Sequence, residues 1–525
     1  MKKSYLSKAL LLIILVVSAQ SLFAQQGTLR YTEDAQFARL HPYDNASERA
    51  NTARIFSLIF EPLFTYDYNL EQFEYALAKE ILVQQPRKVV IRLKDNVKWH
   101  DGKNFSADDV YFTFDKAMNF NRNEAVRNRL SGLIENINIL SDDQVEFVFK
   151  EDVRDPKAEL SFIWIVPKHR LEGDNATDFI RNPIGTGPYR VSEFNMSGIT
   201  FEHFPDYHGT IRDIGKIVRR QTIDLDARIT ELLSNATDLL INVPANRVRQ
   251  IAERGMHNLI PYQSFSISTI AFNYSNSMLG NRNVREAMVR GFNRERVLNT
   301  WYNGRGSLIG GPLTPGAPFF NPNVQPLPYE PARARQLLAD AGFSDRNNDG
   351  FLQDANGNRL RFSMVVRDLG ANTNDPSLRN VVQDFIDEMR NIGIEIQIVN
   401  LTYDDFRQRV FESRDFDLAV MEIFFDPTYD ISPLFFSRSV FSEFNVTGYS
   451  NRAVDARFES FFNSESRSER MELMSSIQEI IARDIPYIFM FTLERNAAIN
   501  LRFYNVRVDP FYFFNEVNYW RVQDL

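Results

Sequence analysis

Residues 89–114 pass from strand to turn to helix without a break, and that succession limits the fold class. Val89-Val-Ile-Arg-Leu is apolar and β-branched, as a strand requires, and His100-Asp101-Gly102 makes a tight polar turn. Ser106 is followed three residues later by Asp109, a capping-box variant whose side chains satisfy orphan N–H groups at a helix start. Similar units recur along the chain. Val145 to Phe149 reads as a strand after the Ser141-Asp-Asp turn, and Leu327 to Ala341 as a helix with Pro331 near its first turn and Gly342 behind its last. Ile392, Ile394, Ile396 and Ile398 alternate as in a half-buried strand, and Thr402-Tyr-Asp-Asp405 opens the next helix. Units of this kind, without repeats or low-complexity tracts, make an α/β protein.

The N-terminus suggests where the protein works. Lys2, Lys3 and Lys8 flank the start of an apolar run, Ala9 to Val17, followed by small and polar residues up to Ala24. This is the pattern of a secretory signal; a membrane span needs about 20 apolar residues. Cleavage is expected after Ala24, with Ala19-Gln20-Ser21 as the second choice, and the mature chain is expected to be soluble. There are no cysteines, which excludes disulfides, thiolate metal sites and cysteine nucleophiles together. The formal charge is −8, and −11 without the three leader lysines, a balance unsuited to nucleic acid or anionic membranes. Phe 44, Tyr 20 and Trp 4 are enough to fill a large core and leave a few rings for a binding surface.

Four further segments join the one at Val89–Phe114. They are Asn182-Pro-Ile-Gly-Thr-Gly-Pro-Tyr-Arg190, the stretch from Asn283 to Val297 with its Val-Arg-Glu-Ala core, Phe416 to Asp430, and Val446-Thr-Gly-Tyr-Ser-Asn451. In this order they resemble the large extracytoplasmic solute-binding proteins of the peptide and nickel ABC importers (family 5). The resemblance implies a two-lobed periplasmic-binding-protein-like fold, type II in its large three-domain form, with a ligand cleft between lobes. It implies a first lobe from residues 25–65, 185–270 and 491–525, an inserted domain over 66–184, and a second lobe over 271–490. Residues 1–24 are the signal. It also implies capture of a solute, most readily a short peptide, for permease subunits of an ABC transporter, with an oligosaccharide or a chelated metal as other ligand classes. A sensory or enzymatic protein on the same fold is the rival reading. The lipid-anchoring cysteine of many relatives is absent, so a periplasm is the expected address and a monomer the expected state. No cofactor is required.

The family's strand in the region of Phe416 to Asp430 ends in an aspartate that pairs with a peptide's α-ammonium. An ungapped match from Phe416-Asp417 gives that role to Asp426; a match on Asp426-Pro427 puts Ile423 there instead, which would remove the anchor. Met421, Glu422, Ile423 and Phe424 would then line the ligand. Tyr403 holds the place of a ligand-stacking aromatic, and Phe489 and Phe491 are either pocket or core. In Gly185-Thr-Gly-Pro-Tyr189 two glycines permit positive φ and Pro188 fixes the exit into a strand, a structural turn more than a phosphate loop.

Asp345, Asn347, Asp349 and Gly350 have the spacing of the first half of a calcium loop, with Asp354 at its tenth position. Asn356 stands where a bidentate Glu is expected, so the segment is either a structural calcium site or a solvated turn. Enzyme signatures are missing: there is no Gly-x-Ser-x-Gly, His-Glu-x-x-His or Walker loop. Among the six histidines only His203 and His208 are near in sequence, and Pro205 separates them.

Overall fold

The computed structural model describes residues 27–33, 40–42, 50–67, 72–120, 124–153, 155–173, 176–195, 197–210, 213–262, 264–367, 377–425, 429–438, 444–464, 466–509 and 511–523. The chain divides into two compact units. Among the described residues, unit 1 takes those up to Ile241, then Ile251–Ile260 and those from Ala497 on; unit 2 takes Asn242–Gln250 and Pro261–Asn496.

Unit 1 has a seven-stranded sheet, two of whose strands reach into unit 2 at Pro261–Tyr262 and Arg495–Asn496, in the order His257–Tyr262, Arg495–Asn500, Leu239–Leu240, Gly27–Glu33, Ile214–Gln221, Gly198–His203, Tyr189–Asn195. Within the segment 66–184 a separate antiparallel sheet runs Ala78–Gln85, Lys88–Leu93, Gln144–Phe149, Ile134–Ser141. The helix Ala107–Phe120 packs on it through Phe114, whose ring lies 4.9 Å from that of Phe147. Asp109 does more than close a capping box. Its carboxylate accepts from Ser106 N (3.1 Å), Trp99 Nε1 (3.1 Å) and Lys168 N (2.9 Å), tying three segments to the helix start.

Two of the sequence motifs meet around the end of the helix Ala50–Ile59. Gly187 N donates to Ile59 O at 2.8 Å, and a Cβ on Gly185 would sit 1.8 Å from the same oxygen. These glycines are needed for close backbone approach; neither has positive φ, contrary to the expectation from the sequence. His100 completes the junction, donating from Nε2 to Gly187 O (2.9 Å) and accepting from Gly185 N on Nδ1 (3.2 Å). Burial pushes its pKa down to about 4, so it serves here as the neutral imidazole.

Unit 2 is built on a six-stranded sheet. Its strands are β1 (Ser266–Phe272), β2 (Gly306–Leu308), β3 (Arg361–Arg367), β4 (Glu395–Leu401), β5 (Leu418–Phe424) and β6 (Tyr487–Leu493), arranged 2-6-1-5-3-4. Strands β3, β4 and β5 are mutually parallel, and β1 runs antiparallel to both β5 and β6. The crossovers expected at 270/271 and 490/491 therefore fall at 260/261 and 496/497, because β1 and β6 lie wholly inside this sheet.

The stretch from Asn283 to Val297 is two helices, Arg282–Arg290 and Arg294–Tyr302. They part at Gly291, where a Cβ would press to 2.7 Å on Ile392, and Asn293 caps the second helix through Arg296 N. These two helices, with Pro331–Asp340 and Ser377–Asn391, cover one face of the sheet. Val284, Met288, Leu298, Leu338, Phe385 and Met389 meet Ile270, Phe362, Met364, Leu418, Val420 and Ile488 in one apolar core. Inside it the Arg294 guanidinium is buried without a carboxylate, donating to the carbonyls of Phe489 (2.5 Å), Ile309 (3.5 Å) and Leu327. The isoleucine strand lies at the sheet edge: Ile392 and Ile394 precede β4 and are buried, whereas Ile398 within it is exposed.

Candidate functional site

Alternation along the strands decides what the end of the unit 2 sheet presents. Leu418 and Val420 face the apolar core, so Glu422 and Phe424 continue on that face beyond it. Opposite them on β1 stand Ser268 and Ser266. The side chains lose their apolar cover here: Phe424 is 57% exposed. The ends of β3, β4, β5 and β6, the start of β1 and the residues just after β6 all lie along this carboxyl edge. Edges of this kind are where open α/β sheets bind ligands.

The polar groups at the edge form one chain of hydrogen bonds. Arg495 Nε donates to Ser264 Oγ (3.3 Å), the Ser264 and Ser266 hydroxyls lie 2.9 Å apart, and Ser266 Oγ donates to Glu422 Oε1 (2.6 Å). Arg495 Nη2 closes the ring on the same carboxylate oxygen at 3.4 Å. Both serines are buried, at 2% and 4% exposure, while the Glu422 and Arg495 side chains keep 42% and 26% of theirs. Thr492 Oγ1 anchors the strand pair below by donating to Ser266 O (3.0 Å). On the other side Arg367, at the end of β3, holds its guanidinium 5.9 Å from the ring centre of Tyr403, which is 59% exposed. Thr402 caps the short helix carrying that ring: Asp405 N donates to its Oγ1 (3.2 Å), and its hydroxyl donates to Asp405 Oδ2 (2.7 Å).

The structure thus brings Glu422, Phe424 and Tyr403 to one edge. Met421 and Ile423 point to the opposite face of the sheet, where Ile423 is buried. Phe489 and Phe491 are buried. Phe489 packs on Tyr487 with ring centres 5.7 Å apart and Phe491 on Tyr302 at 5.3 Å, both almost fully buried. Asp426 lies outside the described residues. Ser264, Ser266, Arg367 and Arg495 were not legible as site residues, since none stands in a recognisable motif.

The calcium-like loop directs its carboxylates elsewhere. Asp345 accepts from Asp349 N (3.2 Å) and Gly350 N (3.0 Å), and Asp354 from Asn356 N and Asn358 N (both 2.8 Å). Asp349 pairs with Arg359, which also binds Glu395 at 2.9 Å, and Asn347 Oδ1 accepts from Gln353. Among the described residues no three His, Cys, Asp or Glu stand close enough to hold a metal ion, and the loop's carboxylates are taken up by backbone N–H groups and Arg359. All six histidines are in unit 1.

A mixed sheet with such an edge offers a place to hold a ligand. The chain belongs to the bacterial extracellular solute-binding proteins, family 5, whose middle-region model matches residues 72–442. It is similar to the glutathione-binding protein GsiB of Pectobacterium atrosepticum, 24% identical over 481 residues and 88% of each chain. Likewise, the oligopeptide-binding protein AppA of Bacillus subtilis is 25% identical over 420 residues, covering 78% of this chain and 76% of AppA. The structure of AppA with a nonapeptide superposes with a TM-score of 0.80 at 21% identity, over 95% of this chain and 100% of AppA. NikA from Brucella suis with Fe(III)-EDTA gives 0.84 at 17% identity and the same coverage. The fold is therefore that of the two-lobed α/β solute-binding proteins. Among the described residues no helix is long and apolar enough to cross a membrane.

Proposed function

We propose that the protein captures short peptides outside the cytoplasmic membrane and delivers them to the permease of an ABC importer. Membership of the solute-binding family carries this reading. The named ligands of GsiB and AppA, glutathione and an oligopeptide, supply the ligand class. The exposed Tyr403 and Phe424, with polar groups between ends of parallel strands, suit a peptide with its apolar side chains and charged termini. In this reading Asp426 is a second carboxylate beyond β5. The protein acts as a binding subunit and catalyses no reaction. Its leader is removed after Ala24, and without a cysteine to acylate it stays unanchored in a periplasm, as a monomer.

The chelated-metal reading draws on the likeness to NikA, but that likeness lies in the fold, and unit 2 itself contains no histidine. Native mass spectrometry of protein purified from its periplasmic source, without denaturation, tests the proposal. Bound masses that fragment as peptides are expected. A sugar or a metal chelate as the sole bound species would replace the peptide reading.

A further inference from the structure

The charged pair at the unit 2 edge is unusual in how it is held. Two buried hydroxyls connect the cation to the anion in a single donor direction, from Arg495 through Ser264 and Ser266 to Glu422. Each serine hydroxyl has one proton to give and donates once; Ser266 Oγ accepts from Ser264 Oγ, and Ser264 Oγ accepts from both Arg495 Nε and Ser266 N (3.3 Å), so both charged groups are fixed in place. The direct contact between the charges is a single one, 3.4 Å long, and uses Oε1 of the carboxylate. Among the described residues, Glu422 Oε2 and Arg495 Nη1 make no hydrogen bond. A surface salt bridge formed for stability would gain more from the two-pronged geometry that arginine favours with carboxylates. Here the second prong of each partner is left for something else, beside the exposed Phe424 ring.

We propose that Glu422 and Arg495 together form a receptor for a zwitterionic α-amino-acid headgroup, an ammonium and a carboxylate borne by one carbon. This rests on the short-peptide reading and narrows it to ligands with a free α-amino-acid end, such as a γ-glutamyl-linked peptide. In that headgroup the nitrogen and the carboxylate oxygens lie about 3 Å apart, set by the three bonds N–Cα, Cα–C and C–O that join them. That spacing matches opposite charges held within hydrogen-bonding range of each other. The ammonium binds Glu422 Oε2 and the carboxylate binds Arg495 Nη1, each replacing water with a charge-assisted bond. An ordinary α-linked peptide cannot do this at either end, because its terminal ammonium and its terminal carboxylate each neighbour an amide. The site as a whole stays neutral, so it discriminates by the arrangement of charge and not by its sum. The Phe424 ring is placed to cover the methylenes of the attached chain.

Two isomeric tripeptides separate this from other roles for the pair: γ-Glu-Ala-Gly and α-Glu-Ala-Gly, identical in mass and net charge. Calorimetric titration of the full mature protein is expected to show the γ isomer binding at least tenfold tighter. Glu422→Gln and Arg495→Gln, each checked for an unchanged melting temperature, are expected to abolish the preference, and Asp426→Asn to keep it. Equal affinity for the two isomers in wild type overturns the proposal. So does a preference that survives both Gln variants or vanishes only in Asp426→Asn; the pair is then a latch. Capture of peptides from a casein digest, followed by native mass spectrometry, is run alongside. If the digest yields bound peptides while the isomers bind equally, only the headgroup assignment falls. If neither the digest nor either isomer binds, the short-peptide reading falls with it.

Discussion

Arg294 and Asp509 show how far single buried charges shape this molecule. Arg294 bonds three carbonyls from three separate segments, and burial pushes its pKa down to about 10. Arg294→Met would leave those acceptors dry and unpaired, at about 1–3 kcal/mol for each that water cannot reach. A loss of at least about 3 kcal/mol in urea unfolding is expected. Asp509 is buried in unit 1, accepting from Phe511 N and Tyr512 N (both 2.7 Å). Burial, and then the nearby Glu516 and Asp67, push its carboxyl up to about 7, against an ordinary value of 3.8. A raised pKa means the folded state holds the proton more tightly, so this contribution is complete below pH 3.8 and is lost as the pH climbs through 7. Asp509→Asn keeps the acceptor and removes the titration. The stability difference between variant and wild type is therefore expected to move in the variant's favour between pH 4 and pH 7, by up to roughly 4 kcal/mol. A difference that stays constant across that range would mean that Asp509 titrates normally.

At the scale of elements, what the sequence revealed depended on how local the cause was. The helix starts at Ala107 and Tyr403 follow from caps within a few residues and were legible, whereas the helix expected from Leu327 begins only at Pro331, where the proline sits in its first turn. The break at Gly291 follows from contact with Ile392, a hundred residues away, and was not. The site divided in the same way. Tyr403, Glu422 and Phe424 fell within segments that the family resemblance marked. Ser266 and Arg495 reach Glu422 across separations of 156 and 73 residues, and no periodicity records such a meeting. Phe489 and Phe491 were ambiguous because a core strand and a pocket strand use the same residues; both are buried.

Gly185 offers a direct check on the junction of motifs. In Gly185→Ala the added carbon cannot clear Ile59 O at 1.8 Å without moving the chain, and a cost of about 3 kcal/mol or failure to fold is expected. The calcium-like loop yields a second check at this scale. With Asp349 already paired to Arg359, melting temperatures in millimolar calcium and in chelator are expected to agree within about 1 °C. A calcium-dependent rise would show that the guanidinium gives way to the ion.

For the whole molecule, the route of the chain matters more than any one contact. Unit 1 is finished by the residues from Ala497 on, which bring Phe511, Phe513, Phe514 and Trp520 into its interior. Removal of residues 501–525 is expected to abolish the cooperative unfolding of unit 1, seen as loss of protease resistance in fragments that contain Gly27–Gln221. Its sheet makes the dependence stricter. Arg495–Asn500 is antiparallel to Leu239–Leu240, which in turn pairs with the first strand, Gly27–Glu33. A strand made at the beginning of synthesis thus waits, two places away in the sheet, for one made at the end. Contacts so distant in sequence are the slowest to form. The early sheet of residues 78–149 closes on itself, whereas the seven-stranded sheet stays unfinished until the tail of the chain has been made. A circular permutant opening the chain near Pro261 brings those two ends together early, and is expected to fold faster than the natural order in refolding kinetics followed by tryptophan fluorescence.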